Sequence, residues 1–230
     1  ASVLHTNSSN AQVFVSVYFN SVSNPALPVG WTSSPGGQWI TGEPNTIAPN
    51  AQNLLWHSLN DAAHTKVVGI DGSQAASDNA LLSSPVISIP PSAGNAILNF
   101  DVAYFYYVSN NTPPEIESLD LMVSTDGGSS WTSEAMIGPV NVSNGVWETR
   151  SIPLGAYAGQ NNLKVGFRYK NQGAALVGVV FDNIKLVNGT DGTVIAAFAG
   201  DHPDPSTGTG YQLSGSSATL TGKVKNIGAL

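Results

Sequence analysis

Leu119-Asp120-Leu121-Met122-Val123-Ser124-Thr125-Asp126-Gly127-Gly128-Ser129-Ser130-Trp131 reads as a strand running into a tight turn. Leu119, Leu121 and Val123 recur at every second position, which places them on one face of a strand and Asp120, Met122 and Ser124 on the other. At Asp126-Gly127-Gly128 a carboxylate can bond the backbone ahead of it, and two glycines accept positive φ. With Trp131 returning over the turn, the stretch predicts a hairpin along one edge of a larger β structure.

The same period extends outward. Val13, Val15, Val17 and Phe19 predict a first strand after a polar lead-in at 1–12. Leu98–Val108 predicts a long one, with Leu98, Phe100, Val102, Tyr104 and Tyr106 facing a core and Asp101, Phe105 and Tyr107 facing away. Trp147–Ile152 and Leu163–Tyr169 follow; in the second, Val165, Phe167 and Tyr169 point in, and Lys164, Arg168 and Lys170 point out. In Ala175–Val187 the apolar phase is odd at Val177, Val179 and Phe181 and even at Ile184 and Leu186, so a bulge is expected at Asp182-Asn183.

Between Thr32 and Ala80 the sequence reads as loop, broken by Pro-Gly-Gly, Glu-Pro-Asn and Ala-Pro-Asn, with short strands only around Leu54–Ser58 and Lys66–Ile70. The pattern as a whole predicts an all-β fold: a two-sheet antiparallel β-sandwich of the jelly-roll kind with long loops. It spans 13–188, and 189–230 forms a linker with a short C-terminal β extension or the start of a second β module.

Composition narrows the function. Lys+Arg 8 against Asp+Glu 15 gives a net charge of −7, which argues against nucleic acid or an anionic membrane as partner. No cysteine is present, so disulfides, thiolate metal sites and a Cys nucleophile are excluded. No apolar run of membrane-spanning length occurs, and low charge with abundant Asn, Ser and Thr points to a secreted or cell-surface setting. The histidines (His5, His57, His64, His202) form no metal-ligand pair, and no Gly-x-Ser-x-Gly elbow exists, so no enzyme is expected. A carboxylate pair gathered from distant loops is the third, weaker reading.

Several marks, in order, resemble the cleaved-adhesin or choice-of-anchor J type of jelly roll, related in fold to MAM domains. They are Leu27-Pro28-Val29-Gly30-Trp31, Asp78–Ile87, Leu98-Asn99-Phe100, Val123–Trp131, Ile152–Gln160, Val165–Tyr169 and Phe181-Asp182-Asn183-Ile184. The resemblance covers about 13–188. It implies an adhesion module of Bacteroidetes-type bacteria, carried beside other domains of a larger chain, often with structural calcium. The sequence departs from that pattern at Ser33–Trp39, where an acidic loop is usual, and at Phe19-Asn20, where Phe-Glu is usual. Ser124–Trp131 also resembles the Asp-box hairpin of sialidase-like propellers; it occurs once here, so it is expected to be a structural turn.

Two site expectations follow. Calcium takes six to eight oxygen ligands, and Asn20, Asp71 and Asp182 are the candidate donors, Asn20 and Asp182 being placed on neighbouring strands. Trp39, Trp56, Phe105 and Tyr107 are the candidate rings for stacking on a sugar, expected in loops or on an outer face. The expected partner is a glycan or a host or cell-surface protein; the rival reading is a purely structural spacer domain.

Overall fold

The computed structural model describes residues 12–47, 59, 61–72, 79–105, 118–138, 145–171, 178–189, 210–214 and 217–221. The chain divides into two units, Ala1–Gly192 and Thr193–Leu230. In the first, two antiparallel sheets enclose one core, the sandwich that period-two patterning predicts.

One sheet has the order β3 (Trp39–Gly42), β4 (Val67–Asp71), β11 (Gly178–Asn188), β6 (Ala96–Phe105), β9 (Glu148–Pro153), with β1 (Gln12–Val17) pairing the far half of β11. The other runs β2 (Thr32–Ser34), β5 (Ala80–Ser83), β10 (Lys164–Lys170), β7 (Ser118–Ser124), β8 (Thr132–Gly138). The second unit contributes a hairpin, β12 (Gly210–Ser214) with β13 (Ser217–Thr221).

The strands form where alternation matches burial. Leu98, Phe100, Val102 and Tyr104 on β6, Leu119, Leu121 and Val123 on β7, and Val165, Phe167 and Tyr169 on β10 all enter the core. Phe167 reaches across to the opposite sheet, with ring centroids 4.2 Å from Phe181 and 5.2 Å from Phe100. Trp39 closes the cluster at 5.9 Å from Phe181. The expected bulge is present: the register of β11 on β6 shifts between Asp182 and Lys185, and Asn183 takes φ 52°.

The expectation of a mainly loop-like stretch from Thr32 to Ala80 is corrected. Strands β2 and β3 lie there, and a one-turn helix α1 (Pro44–Ile47) follows β3. Trp39-Ile40-Thr41-Gly42 shows no alternation because the strand is covered on both faces. Trp39 enters the main core, while Ile40 packs against a second cluster of Ile47, Leu59, Val67, Ala103 and Val180. This second cluster lies on the outer face of the six-stranded sheet. The Leu54–Ser58 strand expected from the sequence falls outside the described residues, while the one expected around Lys66–Ile70 is β4.

The Ser124–Trp131 turn is self-bonded, as a structural role requires. Gly128 N–H donates to Ser124 Oγ (2.8 Å), Ser124 Oγ donates to Asp126 Oδ1 (2.7 Å), and Ser130 donates from its backbone N–H to Asp126 Oδ1 (2.9 Å). These bonds, led by those from Ser130, hold the Asp126 carboxyl well below the usual carboxylate range.

Candidate ligand-binding face

Of the rings expected to meet a sugar, Trp39 is 1% exposed and belongs to the core, which corrects that expectation. It is buried because it sits on a strand and faces Phe181. Phe105 ends β6, its side chain lying outside the described residues, as do Trp56 and Tyr107.

The candidate calcium donors are not gathered at one point. Strands β1 and β11 do pair, as expected for Asn20 and Asp182. Asp71, however, stands opposite Gly178, four residues along β11 from Asp182 and so about 13 Å away. Asn20 Oδ1 accepts a hydrogen bond from Thr65 Oγ1 at 3.0 Å. No group of three or more His, Asp or Glu side chains among the described residues has the arrangement of a metal site. The three residues do not fit one calcium ion.

Asp182 belongs instead to a polar network on the outer face of the six-stranded sheet. His64 Nδ1 lies 2.9 Å from Asp61 Oδ1, and Nε2 lies 3.3 Å from Asp101 Oδ2. Asp101 also accepts from Asn183 Nδ2 (2.6 Å) and Thr149 Oγ1 (2.6 Å). The imidazole stacks on Trp147 at 4.0 Å, and Trp147 Nε1 donates to the Leu59 carbonyl at 2.9 Å. These contacts fasten the segment around 59–64 over the second apolar cluster, a structural task. Asp101, expected on an exposed face, is on the outer face but largely covered, with 16% of its side chain exposed.

The outer face of the five-stranded sheet is arranged differently. On β10, Lys164, Gly166, Arg168 and Lys170 alternate with the buried Val165, Phe167 and Tyr169, so all four look outward. In register across the sheet stand Leu81, Arg168, Asp120 and Met136, then Ser83, Gly166, Met122 and Ser133. The half-buried ring of Trp131 lies against Gly166: its Cζ3 is 3.1 Å from where a Cβ would stand, and Leu81 Cδ1 is 2.9 Å from the same point. Trp131 Nε1 donates to the Gly128 carbonyl at 3.1 Å, which fixes the ring's orientation.

Gly166 leaves room for that ring. Replacing it with Ala is expected to cost about 1–3 kcal/mol, because the methyl also meets the Leu82 carbonyl at 2.9 Å. Urea unfolding measures it; an unchanged midpoint would show that the ring does not depend on the gap.

Sequence reasoning placed Trp131 in the hairpin and did not read it as a surface ring. The signal available was a glycine at an outward position of an otherwise regular strand, which marks a close approach from above.

No family model matches the sequence, and no curated protein matches it. Solved structures give loose likenesses. The K3 cleaved adhesin domain of Lys-gingipain from Porphyromonas gingivalis is 16% identical, with a TM-score of 0.47 over 78% of this chain and 99% of that one. A structure of carbohydrate-binding modules from the β-sandwich superfamily is 12% identical, with a TM-score of 0.46 over 76% and 62%. A cyclase from Fischerella sp. is 14% identical, with a TM-score of 0.47 over 78% and 97%. No helix among the described residues is long and apolar enough to cross a membrane.

Proposed function

We propose that the chain is a non-catalytic binding module that meets a glycan through the outer face of its five-stranded sheet, centred on Trp131. The observation that carries this is a half-buried indole laid against Gly166 with its orientation fixed by a hydrogen bond. Such a ring offers a flat apolar surface at low ordering cost, and sugars present matching C–H faces. Donors stand around it: Ser133, Lys164 and Arg168, the last held 3.3 Å from the buried Asp120. The same surface suits a secreted or cell-surface domain that holds the rest of a larger chain to its target.

A spacer domain is the competing reading, favoured by the burial of Trp39 in the core. A glycan array probed with wild type and Trp131→Ala separates the two. Trp131→Ala is expected to weaken binding at least about tenfold, the cost of truncating a central aromatic contact. Its melting temperature is expected to fall somewhat, since the ring packs on Gly166 and bonds the Gly128 carbonyl. A cooperative thermal transition, with binding measured below it, shows that the loss is not unfolding. Wild type that retains no glycan on the array supports the spacer.

A further inference from the structure

The chain holds 8 Lys and Arg residues in all, and three of them, Lys164, Arg168 and Lys170, stand on the outward face of the single strand β10. The strand spacing puts the first and last about 20 Å apart, on a molecule whose net charge is −7. Gly166 interrupts the row, and Trp131 occupies its place. The face therefore presents cation, aromatic ring, cation, cation along one line.

Little on the described surface neutralises this row. Lys164 and Lys170 have no ion pair among the described residues. Arg168 makes one long contact, Nη2 to Asp120 Oδ2 at 3.3 Å; its Nε is buried without an acceptor, and its side chain is 26% exposed. Asp126, in the hairpin next to Lys164, is engaged with Ser124 and Ser130 within the turn. The row gives this face a local positive charge on an acidic molecule, so an anionic partner that lies along β10 meets complementary charge.

From this we propose that the ligand is an acidic glycan, a chain of sugars bearing carboxylate or sulfate groups, bound along β10. Its anions meet Lys164, Arg168 and Lys170, and one sugar ring stacks on Trp131. This deepens the binding role proposed above and rests on it. A nucleic acid shares the anionic chemistry but meets only three cations on an acidic molecule, too few for its phosphate-driven affinity.

Affinity electrophoresis or calorimetry tests this with polygalacturonate, its methyl ester, a sulfated galactan, neutral dextran and a single-stranded polynucleotide. Wild type is expected to bind polygalacturonate or the sulfated galactan at least about tenfold more tightly than the methyl ester and dextran. The ratio of the two acidic polymers then names the anion. Lys164→Gln with Lys170→Gln is expected to weaken that binding roughly tenfold, with a weaker dependence on salt. The double variant's unchanged melting temperature would show that the loss is local.

Equal binding of polygalacturonate and its methyl ester, with no effect of the lysine changes but loss in Trp131→Ala, overturns the acidic class and leaves the binding face standing. Absence of binding to every glycan overturns both. Polynucleotide bound as tightly as polygalacturonate overturns the assignment to a glycan.

Discussion

Phe181→Ala is expected to lower the unfolding free energy by about 4 kcal/mol, the upper part of the range for a large-to-small change in a closed core. Phe181 is fully buried and touches rings from three other strands: Phe100 at 5.6 Å, Phe167 at 4.2 Å and Trp39 at 5.9 Å. Two of those contacts stay within one sheet, and the contact with Phe167 joins the sheets. Removing the ring therefore opens a void where the two layers meet, with strands on both sides that cannot collapse without breaking register. Phe181→Leu keeps most of the volume and should cost less than half as much. Urea unfolding of the two variants, at unchanged m-value, checks this. A loss under about 1.5 kcal/mol for the alanine variant would mean that the ring cluster is not the centre of the sandwich.

That cluster also shows which parts of the structure were legible beforehand. Strands β6, β7 and β10 carry apolar residues at every second position, so their inward residues could be read directly from the sequence. The bulge in β11 was legible as a change of phase, because a strand cannot move its apolar set to the other face without an extra residue. Strand β3 carried no such signal. With Ile40 under the second cluster and Trp39 in the first, it is apolar on both faces and only four residues long. Set among Pro and Gly breakers, Trp39 resembled a loop ring, and its core position depends on β4 and β11, which lie far along the chain.

The candidate site was legible only in part. Outward alternation of Lys164, Arg168 and Lys170 follows from period two alone. Trp131 over Gly166 does not, because the turn delivers the ring across a pairing between β7 and β10 about forty residues apart in sequence. The His64 network was hidden for the same reason. Asp61 is near in sequence, whereas Asp101 and Asp182 reach the imidazole's surroundings only through the six-stranded sheet.

The last prediction concerns Asp182, which that sheet buries to 2% exposure. Burial pushes its carboxyl up to about 6; the charges of Asp101 and Asp61 add to the rise, and the Asn183 N–H bond at 2.7 Å and His64 oppose it. A carboxyl whose folded pKa stands above its unfolded value, about 4, holds its proton more tightly in the folded state. Between pH 4 and 6 the native state thus binds more protons than the unfolded one, and this group's contribution to stability falls as pH rises. Above about pH 7 the full penalty is present.

Asp182→Asn keeps the shape and an oxygen for the Asn183 N–H, and has no charge at any pH in this range. The variant should match wild type near pH 4 and exceed it by up to about 3 kcal/mol at pH 7.5, the equivalent of the two-unit rise. Asp126 and Asp61 work in the opposite direction, since their folded pKa values are depressed; the stability they lend is lost only below about pH 4, outside this window. Urea unfolding of both proteins at half-unit steps from pH 4 to 8 measures the difference. A difference that stays constant with pH would show that Asp182 titrates alike in the folded and unfolded chain. Its burial beneath the 59–64 segment would then carry no electrostatic cost.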